Sequence, residues 1–66
     1  MKQITFHLST IRKNKKISTR KLAELCGISV RSVERIESGS VRPLFETMCK
    51  IADALEVPIT ELFSYE

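Results

Sequence analysis

Few side chains of this chain could do chemistry, and their types suit the binding of a polyanion better than catalysis. His7 is the one histidine and has no carboxylate or cysteine at ligand spacing, so it reads as a surface residue of a first helix. Cys26 and Cys49 lie far apart, each among apolar residues at helical spacing, with no CxxC or Cys/His cluster beside them. They read as two buried thiols, since free cysteine behaves mostly as a small hydrophobe, with a disulfide or a redox switch as the alternative. No Ser/His constellation, paired acid and base, or phosphate-cradling glycine loop is present. The expectation is no enzyme, no catalytic residue, no metal and no cofactor. What remains is Val30-Arg31-Ser32-Val33-Glu34-Arg35, in which two guanidinium donors stand one helical turn apart on one face.

Two arginines need a scaffold, and length and charge limit what it can be. The 66 residues suffice for one domain, which at that size buries only ~60% of the surface of the unfolded chain and leaves little room for a cleft. A composition of 42% hydrophobic and 29% charged residues is that of a globular domain. No apolar run approaches the ~20 residues of a membrane span and no signal peptide is evident, so the expected location is the cytoplasm, without membrane contact. The net charge of +3 hides a polarity. Residues 1–35 carry nine Lys/Arg and two Glu, whereas residues 36–66 carry two basic and six acidic residues. A basic half of this kind can face nucleic acid while the acidic half points away. The competing reading is that Lys13, Lys15 and Lys16 are only a solvated helix end.

The elements follow from periodicity and punctuation. Ile4, Leu8 and Ile11 form one stripe of a first helix ending near Asn14. Ser18 reads as the N-cap of a second helix over about 19–26, with Leu22, Ala23 and Cys26 inward and Gly27 as its left-handed stop. Ile28 follows as a pin. Ser29 caps a third helix running to about Ser38, with Val33 and Ile36 inward and Gly39 at its end. Two short helices joined through a glycine are the sequence form of a helix-turn-helix. Ser40 to Pro43 connects to a fourth helix over about 44–56, expected to bury Phe45, Met48, Ile51, Ala52 and Leu55, with Glu56 as a non-glycine residue at its left-handed end. Val57 and Pro58 break it, and a last helical turn from Ile59 packs Leu62 and Phe63. With no period-two alternation and no hairpin dipeptide, the expected class is all-α with five helices.

The pattern Leu8-x-x-Ile11-Arg12, Ile17-Ser18-x-x-x-Leu22-Ala23-x-x-Cys26-Gly27-Ile28-Ser29, Val33-x-x-Ile36-Glu37-x-Gly39 resembles the phage repressor and Cro type of helix-turn-helix, the Xre family. The likeness continues through Pro43, Met48, Ile51-Ala52, Leu55, Val57 and Leu62-Phe63, nearly the whole chain. It implies a compact five-helix domain over residues 1–66, with a reading unit at about 18–38 whose third helix enters the major groove of double-stranded DNA by its N-terminal end. The outward residues there are Val30, Arg31, Ser32, Glu34 and Arg35. Arg31 can donate a bidentate pair to guanine, with Arg35 as the next candidate; Val30 can meet a thymine methyl, and Ser32 a base edge or phosphate. The competing reading of each arginine is a surface charge paired with Glu34 or solvent.

Phosphate contacts are expected from Ser18, Thr19, Arg20 and Arg42, at the start of the second helix and in the connector after the third. Many relatives have a glutamine where the shorter Thr19 stands. The resemblance also implies that Arg12 and Glu37 form a structural ion pair rather than read DNA. One copy covers one half-site, so a homodimer reading two half-sites about 34 Å apart is expected. Phe6, off the core stripe of the first helix, Leu44, where relatives usually carry a polar cap, and Phe63 and Tyr65 at the C-terminus mark a candidate seam. No second domain for a small-molecule effector is expected. The expected function is a sequence-specific transcriptional regulator, a repressor or autoregulator of a palindromic operator. The alternative is a protein-interaction module, antitoxin-like or an anti-regulator, that keeps the fold.

Overall fold

A computed structural model describes residues 1–66. Four helices form the body: α1 (Leu8–Asn14), α2 (Thr19–Cys26), α3 (Val30–Ser38) and α4 (Phe45–Leu55). A 3₁₀ turn, Ile59–Glu61, follows α4. The chain is not all-helical, because β1 (Ile4–Phe6) and β2 (Phe63–Tyr65) pair antiparallel, with Ile4 opposite Tyr65, Thr5 opposite Ser64 and Phe6 opposite Phe63.

This sheet corrects the five-helix expectation at both ends. Ile4 and Phe6 belong to β1, so α1 starts at Leu8, and His7 is its N-cap residue rather than a surface residue of the helix. Ile4 does match the helical spacing of Leu8 and Ile11, but a helix begun there would leave the C-terminal segment with an unpaired backbone. Instead each terminus supplies the other's hydrogen bonds, a pairing between residues too distant in sequence for local periodicity to register. The last helix is reduced to the 3₁₀ turn for the same reason: Leu62 is buried, and the chain is extended from Phe63.

The core is built from every helix: Leu8 of α1, Leu22, Ala23 and Cys26 of α2, Val33 and Ile36 of α3, Ile51, Ala52 and Leu55 of α4, and Leu62 beyond them. Ile28 and Met48 are half-buried against it. Phe45, expected inside, is 71% exposed. It is the first residue of α4, ahead of the stripe that turns inward. Cys49, expected to be buried, is half-exposed, and both thiols are free.

Three of the four helices end alike. In α2 and α3 the stop is a glycine, Gly27 at φ 68° and Gly39 at φ 81°, and the next amide returns to the carbonyl five residues back, Ile28 to Ala23 and Ser40 to Arg35, both at 3.0 Å. In α4 the same left-handed cap position falls to Glu56 at φ 57°, whereas α1 passes through right-handed Lys15 at φ −83° before left-handed Lys16 at φ 59°. Glu56 was foreseen as such a residue; Lys16 was not.

Candidate nucleic-acid interface

The second and third helices meet through Gly27, Ile28 and Ser29, and both are pinned to the core by their inward residues. Ser18 and Ser29 cap them: the Ser18 hydroxyl accepts from the Lys21 amide and the Ser29 hydroxyl from the Ser32 amide, each at 3.0 Å. Gly27, in left-handed backbone, stops α2 and turns the chain into α3, whose first turn is anchored by buried Val33 while Arg31 stays exposed.

The outward face of α3 carries Arg31, Glu34 and Arg35, all exposed. With Ser38 they line a shallow open hollow of about 310 Å³. Neither guanidinium is paired with Glu34, since the ion pairs of the molecule are Arg12–Glu37 and Lys50–Glu46. Two charged donors thus stand free on one face, with their five N–H groups each available to a planar acceptor. Val30 and Ser32 are less available. Val30 is half-buried and packs in part against the core. Ser32 is half-buried and accepts a hydrogen bond from the Ser29 hydroxyl at 3.0 Å.

A second hollow of about 210 Å³ adjoins the first through Arg35 and is lined also by Ile28, Ser32, Ile36, Val41, Pro43 and Thr47. Thr47 and Val41 were not anticipated beside α3. Thr47 was legible in principle, because it precedes core residue Ile51 by one turn and so shares the inward phase of α4. Val41 sits in an irregular connector, where periodicity has nothing to say.

Of the expected phosphate-binding residues, Ser18, Arg20 and Arg42 are exposed and Thr19 is half-buried. The Ser18 oxygen is occupied as a cap, which leaves its hydroxyl proton free to donate. Arg12 and Glu37 lie behind this face. Arg12 Nε donates to Glu37 Oε2 at 2.6 Å and its Nη2 to Oε1 at 3.3 Å, while Nη1 donates to the Ile17 carbonyl at 2.9 Å. The two side chains are only 12% and 13% exposed. One guanidinium therefore ties the end of α1, the loop into α2 and the last turn of α3 together, which fixes α3 relative to the scaffold.

His7 Nε2 lies 3.0 Å from the Ser64 hydroxyl, across the terminal sheet and away from α3. Burial pushes the Cys26 thiol above its ordinary pKa, an effect that the nearby Lys50 charge partly offsets, so the sulfur is held as an unreactive thiol. No helix is long and apolar enough to cross a membrane.

This geometry has relatives. The sequence matches the helix-turn-helix family over residues 8–62. It is 49% identical over 41 residues to the cryptic phage CTXphi transcriptional repressor RstR of Vibrio cholerae serotype O1, a match that spans 62% of this chain and 37% of that repressor. The restriction-modification controller protein C.AhdI from Aeromonas hydrophila is similar in structure, with a TM-score of 0.84 and 32% identity over 86% of each chain. The crystal structure described as that of a "putative DNA-binding protein from Bacteroides fragilis" shares the fold at a TM-score of 0.88 and 24% identity, over 94% of this chain and 100% of its own. With the family pattern spanning α1 to Leu62 and the capped α2–α3 unit displaying two unpaired arginines, the chain belongs to the helix-turn-helix family, in its Xre, phage-repressor-like type.

Proposed function

We propose that this chain is a sequence-specific transcriptional regulator that binds a palindromic operator as a homodimer, with α3 of each copy in the major groove, and acts as a repressor or autoregulator. The observation that carries this reading is the pair Arg31 and Arg35, exposed one turn apart on a capped helix and free of carboxylate partners. Arg31, nearer the start of α3, donates a bidentate pair to guanine O6 and N7; Arg35 and Ser32 reach a base edge or the adjoining backbone, and Val30 contributes apolar contact at the rim. Ser18, Thr19, Arg20 and Arg42 hold phosphates and set the register. The repressor and controller names of the similar proteins agree with a regulatory role. A single copy engages few phosphates, so a second copy on a second half-site supplies the rest of the affinity. Phe6, Leu44, Phe63 and Tyr65 are the candidates for contact between copies.

One observation favours the other reading, a protein-interaction module: Leu44 and Phe45 are 75% and 71% exposed at the start of α4. Selection of bound sequences from a randomised duplex pool at about 150 mM salt, beside Arg31→Ala, separates the two. A palindromic consensus that loses one guanine in the variant is the expected result; no enrichment would transfer the weight to protein binding.

A further inference from the structure

The two termini form a ribbon whose outer edges have no partner. Gln3 and Glu66 exchange both backbone hydrogen bonds, at 2.6 and 3.0 Å, and the register places Thr5 opposite Ser64. Amides and carbonyls alternate in direction along an antiparallel strand, so Gln3 and Thr5 turn theirs toward β2 while Ile4 and Phe6 turn theirs outward. Phe63 and Tyr65 do the same on the opposite edge. Open edges of this kind are templates for another strand, and proteins usually blunt them with charge, proline or a bulge. Ile4-Thr5-Phe6 has none of these. An isolated ribbon of two strands is also marginal by itself.

The non-hydrogen-bonded pairs put Ile4 and Tyr65, then Phe6 and Phe63, on one face of the ribbon. Ile4 is 41% and Tyr65 61% exposed, whereas Phe63 packs against the core. β1 has two exposed residues, Ile4 and Thr5, against one in β2, Tyr65, while Phe6, Phe63 and Ser64 are half-buried.

We propose that the outer edge of β1 pairs antiparallel with β1 of a second copy, about a two-fold axis through Thr5, so that one sheet runs through both molecules. The proposal names the seam of the homodimer proposed above and rests on that reading. Identical strands so arranged complement one another, because the outward groups of Ile4 meet those of Phe6 in the second copy and the reverse holds across the axis. The symmetry closes the pair, whereas β1 against β2 of another copy would propagate as an open chain. Charge favours the same edge. Pairing β2 with itself about Ser64 would bring Glu66 of one copy beside Leu62 and Glu61 of the other. Pairing β1 keeps the two Lys2 residues at opposite ends, each over its own Tyr65 ring at 5.5 Å. The apolar face then continues from Tyr65 and Ile4 to Phe6 and Phe63 of the second copy. So short a strand covers less than the ~800 Å² per partner of a standard interface, so the dimer depends on concentration and is strengthened where operator DNA holds both copies.

Sedimentation equilibrium of the full chain without DNA, from about 1 μM to 1 mM, tests it. Wild type is expected to show a monomer–dimer equilibrium. Ile4→Pro deletes an outward amide at an edge position that tolerates proline in the monomer, and it should raise the dimer Kd about tenfold or more with unchanged helical circular dichroism. Ile4→Lys, which keeps the backbone and alters an exposed side chain, should do the same. Tyr65→Pro, the matching change on the other edge, should leave the Kd near wild type. Wild-type dimerisation in both Ile4 variants, or a loss confined to Tyr65→Pro, would overturn the β1 seam while leaving the homodimer reading in place. A chain monomeric throughout the range would also overturn the seam, and the palindrome selection would then judge the homodimer separately.

Discussion

Arg12 and Glu37 form a pair that holds α3 to the scaffold from behind the proposed DNA-binding face. The carboxylate accepts from two guanidinium nitrogens, and the third nitrogen holds the Ile17 carbonyl. Removing one partner strands the other charge where little water reaches it. Glu37→Ala is expected to destabilise the fold by about 2–3 kcal/mol, less than for a fully buried pair because the site keeps some solvent, and to weaken DNA binding only through α3. Urea unfolding reads the first effect; an unchanged midpoint would remove the pair from the list of fold determinants. Cys26 gives a second residue-scale test. Its folded pKa is raised, so the stability carried by the neutral thiol is fully present below the ordinary thiol pKa and is lost as pH rises through the raised value. Alkaline titration of stability should therefore fall more steeply in wild type than in Cys26→Ala, while the two run parallel at neutral pH.

At the scale of elements, the helix ends divide into satisfied and unsatisfied ones. Ser18 and Ser29 cap α2 and α3, the pair that forms the proposed reading unit, and glycines end both. By contrast α4 begins at Leu44 with no side-chain cap and ends at Glu56 in left-handed backbone. Leu44→Ser should supply the missing acceptor and stabilise by about 0.5–1 kcal/mol. Glu56→Gly should relieve the left-handed penalty and contribute about 1 kcal/mol. The two sites lie at opposite ends of one helix, so the double variant is expected to melt higher than either single one. A fall in melting temperature for Leu44→Ser would show instead that Leu44 is covered, as a contact between copies would require.

For the molecule as a whole, the uneven charge sets how binding responds to salt. Loss of a phosphate contact weakens all duplexes alike and shallows the salt dependence, whereas loss of a base contact relaxes one position. Arg20→Ala and Arg42→Ala are each expected to lower the slope of log K against log salt by about 1, with the preferred sequence unchanged. Arg31→Ala should do the reverse. Fluorescence anisotropy over a salt series with operator and scrambled duplexes measures both quantities, and a sequence preference altered by Arg42→Ala would assign that residue to a base instead.

The helical body and the α2–α3 pair are legible in the amino-acid sequence, because they rest on local rules. Ser18 and Ser29 announce helix starts, Gly27 and Gly39 announce stops, and Leu22, Ala23, Val33 and Ile36 show which faces turn inward. The outward position of Arg31 and Arg35 follows from the same phase. The pairing of Ile4–Phe6 with Phe63–Tyr65 follows from long-range contacts instead. Ile4 fits a helical stripe as well as a strand, and three-residue strands are too short for alternation to register. Their pairing depends on the body bringing Leu62 and Leu8 into one core, after which Gln3 and Glu66 lie within hydrogen-bonding reach. Phe45 was misjudged for a related reason, since periodicity gives a helix its apolar face but not where the neighbouring helices stop covering it.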